Sequence, residues 1–478
     1  MPRVASGVLV FFTSAVVLLL EILAGRLLAP YVGVTLETYS GIIGVVLAGL
    51  ALGTWLGGRL ADNRDPRRLL GPLLVFGGAL TLAAIPIIRF LGAFDLGHSP
   101  LAILTYAGGA FFLPSVVLSA LHPCIVKLSL TDLGHTGRTV GRLSALGTAG
   151  ALAGTFFTGF VLVSTLPSRP IVLVAGGLLV AAGLALSARP FPLGPVTLAL
   201  CGAAFTWLLP GPCHFESAYF CASVESQPNR PLKTLVLDGV THAALEPSNP
   251  LHLELDYART VAAVFATHRP GAPVSGLFIG GGGFHLPRYL VEQRPGSSSR
   301  VFEIDGALVD IAHDQLGLPR PSPVSVSIGD ARVLMRSEPA AAYGLVLGDA
   351  FGSQAVPWHL TTREFLGEVR RVMAPSGLYV ANVIDAPPLR FARAEVATLR
   401  AVFPHVVVIA DASISQAANL ILVGSVEELD AGALTDSLRA FGSRAVVTST
   451  SRDLDSFVGQ AQVLTDDFAP VDQLITVN

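Results

Sequence analysis

The chain has 478 residues, of which 51% are hydrophobic and 14% charged, and its formal net charge is −3. Average soluble domains carry roughly 25% charged residues, so a wholly soluble protein, a disordered one and a nucleic-acid binder with a basic surface are all excluded. Four cysteines with no CxxC pair exclude a disulfide scaffold and a cysteine zinc site.

The charge deficit is uneven. Residues 1–210 hold 12 Lys/Arg and 6 Asp/Glu, while residues 211–478 hold 19 and 28. The first part contains apolar runs at 7–29, 39–58, 69–93, 100–122, 142–164 and 170–188, each close to the ~20 residues a helix needs to cross a bilayer. The first run is too long for a signal-peptide core and lacks an A-x-A cleavage site. A seventh run, 196–209, is short enough to be a re-entrant or interfacial segment. The expectation is a multi-pass α-helical membrane domain over 1–210, with six to seven spans.

Arginines orient it. Arg59, Arg64, Arg67 and Arg68 share one short loop, and Lys127, Arg138 and Arg142 share another, so both loops belong in the cytoplasm. Six spans then leave the C-terminal half cytoplasmic, and seven leave it outside. A disulfide between Cys213 and Cys221 favours outside; supply of a charged nucleoside and the short seventh run favour inside, which is the placement expected here. Glu21, Arg26 and Arg89 lie in or beside apolar runs, and Glu21 paired with Arg26 or with another helix reads as a packing device. Gly150 and Gly154 read as close helix packing.

After Gly211 the pattern changes. Strands at 218–224 and 233–237 read as an N-terminal β-hairpin, and 253–265 has helical spacing, giving a hairpin-and-helix region over 211–272. From 273 to 478 a βαβ series begins. The strands at 274–279, 300–304, 324–328 and 345–347 end on Gly280-Gly281-Gly282-Gly283, Glu303-Ile304-Asp305, Gly329-Asp330-Ala331 and Gly348-Asp349-Ala350. A helix at 362–373 leads to strands at 378–383, 406–410 and 420–423. Strands alternating with helices imply an α/β doubly wound, Rossmann-like domain with a mainly parallel sheet, and the acid after the third strand suits the S-adenosylmethionine-dependent methyltransferase type.

Open α/β sheets bind ligands at the carboxyl ends of their strands. There, Gly280, Gly281 and Gly282 let a ligand approach the backbone, and Glu303 is placed to accept hydrogen bonds from ribose hydroxyls. Asp330 and Ala331 are placed for an adenine, and Asp349 faces the centre of the cleft. The G-x-G-x-x-G spacing is absent, because Phe284 and His285 follow the glycines. An acid after the third strand favours an S-adenosylmethionine-type ligand over a dinucleotide, and no metal is called for.

Leu277-Phe278-Ile279-Gly280-Gly281-Gly282, Val301-Phe302-Glu303-Ile304-Asp305, Ile328-Gly329-Asp330-Ala331 and the segment from Val356 to Phe365 resemble spermidine synthases. Leu237-Asp238-Gly239 fits that family's hairpin. The segments from Ile22 to Pro30 and from Gly57 to Asp62 resemble its bacterial members fused to a helical membrane region. The resemblance implies aminopropyl transfer from decarboxylated S-adenosylmethionine to a small amine, and homodimers. It implies Glu303 on the ribose, Asp330 on the adenine, and Asp349 as the first aspartate of a D-x-x-D stretch.

Two of the family's acceptor-site aspartates are replaced, by Gly283 and Gly352, and the hairpin glutamine by His242. Loss of two anions from a di-cation site costs several kcal/mol of recognition, at roughly 1.5–3 kcal/mol per charged hydrogen bond. The acceptor is therefore expected to differ from putrescine. Candidate catalytic residues are Asp349, His359, His285 and Tyr257, with Tyr219, Trp358, Asp256 and Glu216 as further candidates for the acceptor side. Two other readings stand beside this one: a methyltransferase or another S-adenosylmethionine user, and a non-catalytic nucleoside sensor or transporter. Against transport, paired repeats are not evident.

Overall fold

The computed structural model describes residues 3–97, 99–130, 133–187, 193–350 and 356–475. It divides into two compact units, Met1–Ala222 and Ser223–Asn478. The division falls inside a strand rather than at 210. The reason is local: Glu216, beyond the last apolar helix, is held by Arg26 and Ser168 of the first unit.

Six helices of the first unit are long and apolar enough to cross a membrane: α1 (Arg3–Val32), α2 (Leu36–Asn63), α3 (Pro66–Gly92), α4 (Pro100–Ser129), α5 (Thr136–Thr165) and α6 (Ser168–Leu186). A shorter helix, α7 (Leu193–Leu208), follows. Starts are set by side-chain caps: Thr35 accepts from Thr38 N, and Asp65, followed by Pro66, accepts from Arg67 N. A methyl on Gly150 would lie 2.1 Å from Phe11 O, and one on Gly154 2.3 Å from Ala15 O. The two glycines therefore seat α5 directly on the α1 backbone. Gly53 and Gly57 of α2 meet α4 in the same way, a stripe the sequence reading did not single out.

Helix α7 runs beside α3. Ala199 packs with Ala79 and Leu82, Thr206 Oγ1 donates to Leu82 O at 2.9 Å, and Arg89 donates to Leu209 O at 2.7 Å. Its 16 residues, at 1.5 Å rise, give about 24 Å. It finishes at the end of the bundle where α3 finishes, opposite the Arg59–Arg68 loop. Just beyond, β1 (Phe215–Glu216) pairs antiparallel with the start of β2 (Cys221–Ser226), and a disulfide joins Cys213 to Cys221. Arg26 pairs with Glu216 at 2.8 Å, not with Glu21, which makes no hydrogen bond or ion pair among the described residues.

In the second unit, β3 (Lys233–Leu237) and β4 (Val240–Leu245) form an antiparallel hairpin. Its two-residue turn, Asp238-Gly239, has φ of +47° and +83°, the left-handed pair that matches strand twist. In the four-stranded sheet, ordered β1-β2-β3-β4, β2 lies beside β3 as expected, though it starts later than 218, and the tight hairpin adds β4, a strand the sequence reading missed. Helix α8 (Asp256–Thr267) leads into an eight-stranded sheet.

The parallel strands are β5 (Ser275–Ile279), β6 (Ser298–Glu303), β7 (Val324–Ile328), β8 (Tyr343–Gly348) and β9 (Met373–Asp385), in the order β7-β6-β5-β8-β9. Three antiparallel strands extend the β9 edge: β10 (His405–Ala410), β11 (Ala418–Ser425) and β12 (Val446–Thr448), in the order β11-β10-β12. Side chains alternate between two cores. Leu277, Ile279 and Val346 pack on one face with Phe365 and Phe391, while Phe278, Leu345 and Leu347 pack on the other with Phe265 and Leu290. Both faces are covered by helices, as in a doubly wound fold. The strand order reverses between β5 and β8, and the crevice at that switch point holds the candidate site.

Candidate functional site

The glycine turn after β5 is shaped by what surrounds it. Gly280 has φ +95°, and a Cβ there would lie 2.4 Å from Asp349 O, so only glycine allows the two strand ends to meet. Gly282 has φ +47°, and among the described residues nothing lies within 4 Å of the point where a Cβ would be. That open side is where a ligand can come against the backbone.

Glu303, at the end of β6, is buried and clamps this turn. Its Oε2 accepts from Gly281 N at 2.8 Å and Gly282 N at 3.3 Å, and its Oε1 accepts from Asp305 N at 2.9 Å. Burial raises its pKa above the ordinary value, opposed by those three N–H donors. With about two lone pairs per oxygen, one acceptor position remains on Oε1. The donor set therefore suits a carboxylate that shapes the turn and still accepts a hydroxyl.

Asp330 has its oxygens engaged within the protein. Oδ1 caps helix α9 (Ala331–Met335), accepting from Arg332 N at 2.8 Å and Val333 N at 3.2 Å, and Oδ2 lies 2.8 Å from His359 Nε2. Ala331 is the first, buried residue of that helix. His359, in the turn Trp358–Leu360, thus joins Asp330 rather than the other catalytic candidates. Trp358 is exposed.

Three of the four catalytic candidates come together. Tyr257 is the second residue of α8, and its hydroxyl lies 3.2 Å from His285 Nε2, 3.3 Å from His242 O and 3.5 Å from Asp349 Oδ2. Asn382 of β9 donates to Asp349 Oδ1 at 2.8 Å, and Asn419 of β11 donates to Asn382 Oδ1 at 2.8 Å. Burial raises the pKa of Asp349, with Asn382 and Tyr257 working against it. Burial, then the charge of Asp349, pushes Tyr257 well above its ordinary value, so it keeps its proton.

That proton can go to only one partner. The carbonyl of His242 and the ionised Asp349 only accept, so the network is best satisfied when His285 donates Nε2–H to the phenol oxygen. Burial lowers the His285 pKa to about 4 and that of His242 to about 4, so both imidazoles are neutral at physiological pH. Among the described residues, His285 Nδ1 and His242 Nε2 are buried with no hydrogen-bond partner.

At Gly283, a Cβ would lie 2.5 Å from Ala243 Cβ, 3.0 Å from Leu245 Cδ2 and 3.7 Å from His285 Nδ1. Strand β4 therefore occupies the space any side chain at 283 needs, and an imidazole nitrogen stands nearby. Gly352 lies outside the described residues. Glu216 is taken up by Arg26 and Ser168, Asp256 pairs with Arg259, and Tyr219 is exposed. The amide relay through Asn382 and Asn419 went unforeseen, although Asn382 is the lone polar residue in the run Leu378–Ile384. Among the described residues, no cluster of three His, Cys, Asp or Glu side chains is arranged to hold a metal ion.

A glycine turn clamped by a buried glutamate, at the switch point of a doubly wound sheet behind a small hairpin, defines a nucleoside-binding enzyme fold. Known proteins agree. The chain is 31% identical over 210 residues to the polyamine aminopropyltransferase of Vibrio vulnificus (strain CMCP6), covering 41% of this chain and 69% of that protein. A probable polyamine aminopropyl transferase of Bifidobacterium longum (strain NCC 2705) is 25% identical over 169 residues, covering 35% of this chain and 36% of that one. A probable spermidine synthase from Corynebacterium glutamicum ATCC 13032 superposes with a TM-score of 0.50 at 29% identity, over 55% of this chain and 99% of that one. No family profile matches the chain. The chain belongs to the polyamine aminopropyltransferase family.

Proposed function

We propose that the protein is a membrane-anchored aminopropyltransferase that uses decarboxylated S-adenosylmethionine and an acceptor less cationic than putrescine. The family relationship supports the reaction type. The observation that carries the acceptor reading is the packing at Gly283, where β4 excludes an anionic side chain and a neutral histidine lines the space. Gly280 to Gly282 and the free acceptor position of Glu303 suit the nucleoside, whose adenine would reach the Asp330–Ala331 corner once His359 shares Asp330. A homodimer and a small amine substrate are what the family reading implies.

In this reading the acceptor nitrogen attacks the methylene next to the sulfonium, the C–S bond breaks, and methylthioadenosine leaves. A protonated amine has no lone pair, so a base must hold or remove its proton. Asp349 is suited to this: its carboxylate is buried, and Asn382 and Tyr257 orient both oxygens. Tyr257 and His285, both neutral, add hydrogen bonding without charge. That favours a monoamine, or a polyamine whose second charge lies elsewhere.

Six long apolar helices have the length and composition to anchor the enzyme in a bilayer. We infer that Cys213 and Cys221, just past α7, lie on the side of the membrane opposite the arginine-rich loops, the reverse of the placement expected from cofactor supply. The course of α7 beside α3 and the Cys213–Cys221 disulfide both support that side. Labelling of reduced intact cells at Cys213 and Cys221 with an impermeant maleimide checks it; protection of both thiols until lysis puts them on the cytoplasmic side.

The activity test uses the full chain in detergent with decarboxylated cofactor and a panel of mono-, di- and triamines. Methylthioadenosine should form, fastest with a low-charge amine, and Asp349→Asn should abolish it. S-adenosylhomocysteine formed from S-adenosylmethionine, with no methylthioadenosine from any amine, would establish methyl transfer instead. Binding of the nucleoside without turnover would leave a sensor.

A further inference from the structure

A cavity of about 250 Å3 opens in the first unit, at the end of the bundle where α1 and α3 finish and α6 begins. Arg26, Arg89, Arg169, Gly211 and Glu216 line it, with Tyr31, Ile85 and Ile88 among its less polar wall. It lies outside the nucleoside crevice and has no part in the reaction proposed above.

The charges in it do not balance. Among the described lining residues Glu216 is the only carboxylate, and it is already engaged: it faces Arg26 Nε at 2.8 Å and accepts from Ser168 N at 2.9 Å and from Ser168 Oγ. Arg89 spends one nitrogen, Nη1, on Leu209 O at 2.7 Å. Arg169 makes no hydrogen bond or ion pair among the described residues. A methyl built on Gly211 would lie 2.5 Å from Arg169 Nη2 and 3.4 Å from Arg89 Nη2. Two guanidinium ends thus converge on one glycine, at the mouth of a partly apolar recess, with no acid between them.

Like charges brought together away from bulk water repel, and the penalty grows as the surroundings become less polar. Guanidinium forks relieve it best by sharing a planar or tetrahedral oxyanion, since their N–H donors match its oxygens. A glycine at 211 keeps that point clear. We propose that this recess binds a phosphate group through Arg89 and Arg169, either free or esterified to an amphiphile whose hydrocarbon lies along Tyr31, Ile85 and Ile88.

The test uses the full chain in a non-ionic detergent, titrated with inorganic phosphate and, separately, with short-chain phosphatidylglycerol below its micelle concentration. Binding is read by calorimetry and by the shift of the thermal midpoint. At least one probe should bind saturably. Arg169→Gln should weaken it about tenfold, one lost charged hydrogen bond; Arg169→Lys should recover part of that loss, and Gly211→Leu should abolish binding by filling the recess. Arg142→Gln, in the loop at the other end of the bundle, should leave it unchanged. Saturation by inorganic phosphate identifies a free anion, and saturation by the phospholipid alone identifies a headgroup. Failure of the unaltered protein to bind either probe overturns the proposal, as does undiminished binding in both Arg169→Gln and Gly211→Leu.

Discussion

Replacing Glu303 by glutamine keeps the side-chain shape and removes one acceptor, which makes it a direct test of the clamp on the glycine turn. The carboxylate receives two N–H groups on Oε2, from Gly281 and Gly282, and one on Oε1, from Asp305. An amide has a single oxygen, so in either orientation its NH2 group faces a backbone N–H. The less costly orientation keeps oxygen on the glycines and sets NH2 against Asp305 N–H. That loses one charge-assisted hydrogen bond, about 1.5–3 kcal/mol, and leaves a buried N–H unpaired, about 1–3 kcal/mol. Against this stands the desolvation of the carboxylate, evident in its raised pKa, which glutamine does not incur. The net expectation is a loss of about 2 kcal/mol, or about 4–8 °C in the thermal midpoint for a unit of this size.

The assay is thermal unfolding of the full chain in detergent at neutral pH, followed by near-ultraviolet circular dichroism, with nucleoside binding measured in parallel. Because the folded-state pKa is raised, the folded protein takes up this proton more readily than the unfolded chain. The unaltered protein therefore gains stability as pH falls through the folded value while Glu303→Gln does not, so the gap between them should widen. An unchanged midpoint at neutral pH would falsify the assignment of the clamp.

Gly280→Ala, at φ +95° and against the Asp349 backbone, should cost about 3 kcal/mol. Gly282→Ala, at φ +47° in open space, should cost about 1 kcal/mol; equal denaturation midpoints for the two would contradict the geometry. His242 and His285 titrate near 4 in the folded protein and near 6.5 when unfolded. The unfolded chain therefore binds their protons first, and stability should be full above about pH 6.5 and fall toward pH 4, by up to about 1.4 kcal/mol per pH unit for each histidine. Denaturant midpoints across that range, with His242→Gln flattening the slope, measure this. Tyr257→Phe removes a hydrogen bond that lowers the Asp349 pKa, so the acidic limb of the rate profile should move to higher pH while kcat falls about tenfold; a limb that stays in place removes Asp349 from the role of base.

Much of the architecture was legible because it rests on periodicity. Long apolar runs, then short strands each ending on glycine or an acid, identify the helical unit and the doubly wound sheet, since burial on both faces demands continuous apolar strands. The strand β4 was missed because Val240–Leu245 contains His242 and Thr241 and lacks a clean alternation; only pairing with β3 makes it a strand. Likewise 196–209 reads from its length as either a re-entrant or interfacial segment or a seventh span. Its course follows from contacts with Leu82 and Ala83 that no local pattern reveals.

At the site, sequence alone placed Gly280 to Gly282, Glu303, Asp330 and Asp349 at the carboxyl ends of their strands, because a parallel sheet brings successive strand ends to one edge. Tertiary structure decided what each then does. Asp330 caps a helix and holds His359, Tyr257 meets His285 and Asp349 across 28 and 92 residues of chain, and β4 fills the space at Gly283. Strand ends follow from local preference and order along the chain, whereas hydrogen-bond partners and excluded volume depend on which distant segments pack together.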